Sequence, residues 1–231
     1  MFDRVARRYD LVNSLISLGL HRHWKWSAAA LARLPAGGLA LDVCAGTGDL
    51  AIALARRGGR AVALDFAPEM IAVGRRRTTA LPVSHLRADA LLLPFPDHTF
   101  DAATIGFSLR SVTSRAQLFA EMARVVKPGG RVVSLETSQP PNRLVRAIYR
   151  LYLAIMMSLA GLISDGSAYR YLASTIAGFP PAQAIANEMT AAGMGRVTFR
   201  HLLLGIVAVH VGIVRPTGVA CVPEELCKGH Y

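Results

Sequence analysis

Two carboxylates and two glycines at fixed spacing carry the first chemistry in this chain. They are Asp42, Gly46, Gly48 and Asp65, set in LALDVCAGTGDL (39–50) and at the end of the short run 61–64. An apolar run stops at Asp42, the Gly-bearing turn follows, and an Ala/Leu/Arg pattern of helical period begins at once. That order predicts a strand, a tight turn and a helix, the unit on which α/β proteins hang nucleotide-like ligands. Gly46 and Gly48 can take positive φ and carry no Cβ, so the backbone can approach a ligand closely. Asp65 falls about 20 residues past the turn, where an acid at the next strand tip reaches a ribose diol.

The turn lacks the third glycine of a dinucleotide fingerprint, since Gly48 is followed by Asp49, Leu50 and Ala51. A pyrophosphate at this helix start would meet the anions Asp42 and Asp49. A cationic nucleoside suits them better. S-adenosylmethionine carries a sulfonium and an ammonium, has no phosphate, and offers a ribose to Asp65. A nicotinamide or flavin site and a plain capped turn are the competing readings.

The flanking pattern supplies the scaffold. Strands are expected over 39–44, 61–64, 83–87, 102–105 and 131–135, with helices over 49–57, 68–79 and 115–126 between them. Lys127-Pro128-Gly129-Gly130 marks a turn. Such alternation predicts an α/β fold with a mostly parallel sheet and helices on both faces. Helices are also expected over 142–163, 167–177 and 180–192. Two late β-like runs, 197–203 and 206–214, leave only Leu204 and Gly205 between them, an antiparallel hairpin at the sheet edge. The sum is a seven-stranded, Rossmann-like sheet of the kind class I methyltransferases use. Helical patterns within 4–18 and over 21–34 make residues 1–34 a lid segment. The main domain then runs over 35–214, with a helical lid insertion near 142–177 and a tail over 215–231.

Composition bounds the partners. A length of 231 residues suits one sizeable domain. The formal charge of +11, from 26 Lys and Arg against 15 Asp and Glu, favours nucleic acid, an anionic membrane leaflet or an acidic substrate, or marks a solvated basic face. Cys44, Cys221 and Cys227 imply no disulfide framework. The last two sit near Glu224, Glu225 and His230 without the paired spacing of zinc modules, so no metal is expected. MFDRVARRYD at the start has no apolar signal core. The most apolar stretch, 151–163, spans about 13 residues where a bilayer needs roughly 20. A cytoplasmic, non-integral protein is the expectation.

With these segments in place, the chain resembles the ubiquinone/menaquinone biosynthesis C-methyltransferase family, which includes demethylmenaquinone methyltransferases. The resemblance runs over about 1–214. It rests on MFDRVARRYDLVNSLISLGLHRHWK, DVCAGTGDL, LPFPDHTFDAATIGFSLRSV, VVKPGGRVVSLE, SAYRYLASTIAGFP and GIVAVHVG. It implies S-adenosylmethionine as methyl donor and a prenylated hydroquinone as acceptor, most directly demethylmenaquinol. Carried over by position, Thr47 would touch the methionine end, Asp65 the ribose, and Asp89 and Ala90 the adenine edge. Gly106 stands where some members have Ser, so only its backbone remains for the cofactor. Ser111 replaces a usual Asn, and Ala45 a frequent Gly.

Methylating carbon requires a carbon nucleophile, which a hydroquinone supplies once a phenolic proton is lost. Arg110, just past the fourth strand, is always charged and can stabilise the developing phenolate. Tyr169 is the polar lid residue expected to join it, ahead of Tyr9, His21 and His23. Arg143, Arg146 and Arg150 precede a Leu/Ile/Met-rich stretch, which predicts a cover for the prenyl tail and a contact with an anionic membrane surface. Base-methylating enzymes carry an Asn/Asp-Pro-Pro-aromatic motif after the fourth strand. Gly106-Phe107-Ser108-Leu109-Arg110 stands there instead, so no specific nucleic acid is expected. A non-catalytic scaffold of the quinone pathway is the remaining alternative, and self-association stays open.

Overall fold

Seven strands form one sheet among the described residues. They are β1 (Leu39–Val43), β2 (Arg60–Asp65), β3 (Val83–Arg87), β4 (Phe100–Gly106), β5 (Val126–Thr137), β6 (Met194–Leu202) and β7 (Val207–Val214), in the order β3-β2-β1-β4-β5-β7-β6. The computed structural model describes residues 17–163, 175–176 and 178–216. The expected first helix and Tyr9, most of 167–177 with Tyr169, and the tail beyond 216 lie outside the described residues. Strands β1 to β5 run parallel, and β7 runs antiparallel to both β5 and β6. The late hairpin therefore closes the sheet, with β7 bonded to β5 and β6 at the edge. The strand order reverses between β1 and β4, and in such sheets ligands bind in the crevice past the carboxyl ends at that point.

Helices α1 (Leu20–Leu31), α2 (Asp49–Ala55), α3 (Pro68–Arg77), α4 (Arg115–Val125), α5 (Arg143–Ile163) and α6 (Ala182–Ala191) make the crossovers and covers. Side chains alternate across each strand, so each face of the sheet builds its own core. On one face Leu41, Val43 and Ile105 pack with Leu118, Met122 and Ile185. On the other, Ala40, Ala61, Ala63 and Ala102 meet Ala51, Ala53 and Leu54 of α2 and Trp24 and Ala28 of α1. That alanine-lined face lets α1 and α2 lie close against the strands. It is what brings α1 to the end of the sheet where the ligand turn sits.

The main departure from the expected elements is β5. It was expected to open at Arg131 but begins at Val126, directly after α4. The pairing jumps from Phe100↔Val126 to Ala102↔Arg131, so Lys127 to Gly130 bulge out of the ladder inside an otherwise extended run. Helix α5 covers 143–163, matching the expected 142–163. No helix among the described residues is long and apolar enough to cross a membrane.

Candidate active site

The β1–α2 turn is built on positive φ: Cys44 at 53°, Gly46 at 56° and Gly48 at 86°. A Cβ on Gly46 would meet nothing within 4 Å, so the turn presents open backbone to the crevice. Asp65, half-buried at the tip of β2, holds the turn in place. Its Oδ2 accepts from Gly46 N (2.7 Å) and its Oδ1 from Ala67 N (2.9 Å). Each carboxylate oxygen keeps a second lone pair for a diol. Asp89 is exposed beyond β3 with Oδ1 accepting from Leu91 N (2.9 Å), and Ala90 beside it is buried. Phe66, next to Asp65, is 68 % exposed with Arg87 over its ring, a platform that residue spacing alone did not flag.

Asp42 sits below the turn. It is 1 % exposed, its Oδ1 accepts from Thr104 Oγ1 (2.9 Å) and its Oδ2 from Ala51 N (3.0 Å). Burial pushes its carboxyl up to about 7 despite those two donors. Both oxygens pin α2 to β1 and β4, beneath the turn where Asp42 was expected to bind the cofactor. Thr47 is also buried, and Arg77 Nη1 donates to its carbonyl (3.0 Å) and its hydroxyl oxygen (2.7 Å). The contact expected between Thr47 and a methionine end competes with that bond. Gly106 ends β4, where a Cβ would come within 2.7 Å of Leu50 Cδ1, so the missing side chain makes room for α2.

The electrostatics of the crevice favour a cation. Burial first, then Asp65, Asp42 and Asp89, push the Cys44 thiol up to about 12, which locates three carboxylates around one point at the strand ends. Asp49 does not add to them freely. Burial alone would raise its carboxyl, but Lys25 (2.8 Å) and Arg77 (2.6 Å) outweigh it and hold it down at about 2.

Beside the turn lies a second space, a cavity of about 390 Å³ between α1, α5 and the Leu203–Gly205 turn. Its walls are mostly apolar, with Trp24 and Phe107 in ring contact at 6.3 Å on one side. Lys25 lines it while binding Asp49, so the cavity and the Gly turn share a wall. Arg110, on the short helix Leu109–Ser111 after β4, reaches the same cavity. Its Nη1 donates to Glu136 Oε1 at 2.6 Å. Tyr149 of α5 lines the cavity too, and burial pushes its phenol up to about 12, with Arg110 opposing and Glu136 and Tyr152 adding. His21 is buried at its edge with Nδ1 against Ser17 Oγ (2.8 Å), whereas His23 is exposed.

A turn that suits a cation with a diol is thus joined by one wall to an apolar pocket that Arg110 lines. Residues 1–214 match the ubiE/COQ5 methyltransferase family. The chain belongs to that family. It is 44% identical over 218 residues to a protein of Thermus thermophilus named demethylmenaquinone methyltransferase, covering 92% of this chain and 99% of that one. It is 41% identical over 222 residues to the ubiquinone/menaquinone biosynthesis C-methyltransferase UbiE of Pseudomonas putida, covering 92% and 87%. A SAM-dependent methyltransferase of Thermotoga maritima shares the fold, with a TM-score of 0.67 at 17% identity over 93% of this chain and 98% of that one. The class I methyltransferase fold expected from the alternation is the fold observed.

Within this methyltransferase, the sequence reading placed Arg110 but missed its partners. Glu136, an acid closing the apolar run RVVSL, was the visible signal for a buried counter-charge. Thr137 and Tyr149 gave no such signal, because they line one cavity from two elements far apart in the chain, β5 and α5.

Proposed function

We propose that this methyltransferase moves the methyl group of S-adenosylmethionine to a ring carbon of a prenylated hydroquinone, converting demethylmenaquinol to menaquinol in quinone biosynthesis. The observation that carries the reading is Arg110 in the wall of an apolar cavity that adjoins the Gly turn. Family membership and the names of the relatives support it. When bound, the donor supplies a methyl group made electrophilic by its sulfonium. Gly46 and Gly48 give it backbone at close approach, Asp65 takes the ribose diol, and Asp89 with Ala90 borders the adenine. Asp42, Thr47 and Gly106 hold the turn and α2 at the required spacing. Arg110 faces the quinol oxygen and stabilises the phenolate, so that charge reaches the ring carbon. Tyr169, outside the described residues, is the second residue expected to act on the acceptor. The apolar walls lower the local dielectric and strengthen the Arg110 field.

The protein works at the anionic inner face of a membrane. On α5, Leu144, Ile148, Leu151 and Ile155 repeat at helical spacing and are 69, 59, 64 and 50% exposed. Leu18 and Leu204, at 76 and 73%, continue that surface at the cavity mouth. Arg143 and Arg150 flank it in exposed positions, which suits an interfacial helix over anionic headgroups.

Lipid-quinone profiling of cells lacking the protein tests the activity. Accumulation of demethylmenaquinone with loss of menaquinone is the expected result, and an unchanged quinone profile would refute it.

A further inference from the structure

The buried polar atoms of β5 carry one more step. Glu136 is 1% exposed and engaged on one side only. Its Oε1 accepts from Arg110 Nη1 (2.6 Å), Thr137 N (2.9 Å) and Thr137 Oγ1 (3.2 Å), while its Oε2 is buried with no partner among the described residues. A buried carboxylate oxygen without a donor is costly and calls for a reason. Thr137, by contrast, is half-buried and lines the cavity together with Arg110. Its hydroxyl donates to Glu136 and keeps lone pairs for an incoming O–H.

Resting on the quinol reading above, we propose that Thr137 and Glu136 form the proton relay that ionises the substrate. The quinol O–H bond breaks as a new bond forms to Thr137 Oγ1, and the former Oγ1–H proton passes to the Glu136 carboxylate. The electron pair left on the quinol oxygen feeds the ring carbon, which bonds to the methyl as the S–CH₃ bond breaks with its pair on sulfur. The ring carbon then gives its own proton to water, and Glu136 returns the stored proton through Thr137 to the quinol oxygen. One proton leaves per methyl transferred.

Charge explains why the proton stays inside. Arg110 and Glu136 are a neutral pair at rest. Exporting the phenolic proton to bulk water would leave the phenolate oxygen beside an Arg110 whose charge Glu136 already offsets, with the sulfonium lying at the ring carbon instead. Moving it to Glu136 leaves the phenolate facing Arg110 with the local charge unchanged. Arg110 cannot be the acceptor, because its guanidinium has no free lone pair. In this scheme Thr137 touches the substrate, and Glu136 acts through it.

Three variants test the relay. Glu136→Gln keeps an oxygen for Arg110 but binds no proton, Thr137→Val removes the hydroxyl at nearly constant shape, and Thr137→Ser restores it. The Gln and Val variants should lose about a hundredfold in kcat. Their KM for quinol, calorimetric affinity for the donor and melting temperature should stay close to the parent's. The Ser variant should recover most of the loss. A ring-fluorinated quinol, whose hydroxyl is more acidic, should narrow the Gln deficit, which a merely structural role would leave untouched. Were Glu136 only a counter-charge, Glu136→Gln would leave Arg110 unopposed beside the phenolate and turnover would hold or rise. That result, or a Val variant with parental kcat, overturns the relay. If Glu136→Gln does not fold, the Val and Ser pair decides alone. A parent protein that methylates no quinol overturns the functional reading, and the relay with it.

Discussion

Asp65 closes the Gly turn through Gly46 N, and in the proposed function its remaining lone pairs take the ribose diol. Charge-assisted hydrogen bonds of this kind contribute about 1.5–3 kcal/mol each. Asp65→Ala should therefore weaken S-adenosylmethionine binding by about tenfold or more in a calorimetric titration, while the cores on both sheet faces keep the protein folded. Unchanged affinity would remove Asp65 from the site. At this scale the sequence located those residues whose position depends on their own strand. Asp65, Gly46 and Arg110 are placed by local order alone. Asp42 and Thr47 were harder, because what turns their oxygens inward is a distant partner: Thr104 on β4 for one and Arg77 at the end of α3 for the other. Spacing along the chain cannot announce such a partner.

Elements were legible where periodicity was clean, as in α5 and the parallel strands. The start of β5 was not, because Pro128 and two glycines read as a turn while the ladder with β4 resumes on both sides of them. Nor could the sequence show that α1, α2 and α3 are tied at one point. Lys25 of α1, Asp49 at the head of α2 and Arg77 at the end of α3 share a single carboxylate. Its pKa lies below the unfolded value, so its stabilisation is complete above about pH 4 and is lost as pH falls through about 2. The parent should exceed Asp49→Asn by about 2 kcal/mol in thermal unfolding near neutral pH, and the gap should close between about pH 4 and 2. A gap that stayed constant across that window would show that the carboxylate's charge contributes nothing to joining the three helices.

The whole molecule combines a charge of +11 with an apolar stripe beside the cavity mouth. Composition alone could not choose between nucleic acid and membrane as the negative partner. The exposed Leu and Ile positions of α5 favour the membrane, since a phosphate backbone has no use for them. Anionic vesicles should carry the protein upward in flotation, salt should release part of it, and Leu151→Glu with Ile155→Glu should release most of it. Equal flotation of parent and double variant would place the contact elsewhere. The central claim is the transfer itself, and it depends on the oxidation state of the ring. A quinone has no phenolic proton to lose, so only the hydroquinone can furnish the carbon nucleophile. The most direct measurement incubates the purified protein with methyl-labelled S-adenosylmethionine and demethylmenaquinol under reductant, then locates the label by mass spectrometry. Label should appear on the ring carbon of menaquinol and be missing when the same ring is held oxidised. Label on oxygen, or equal incorporation into oxidised and reduced rings, would contradict the central claim.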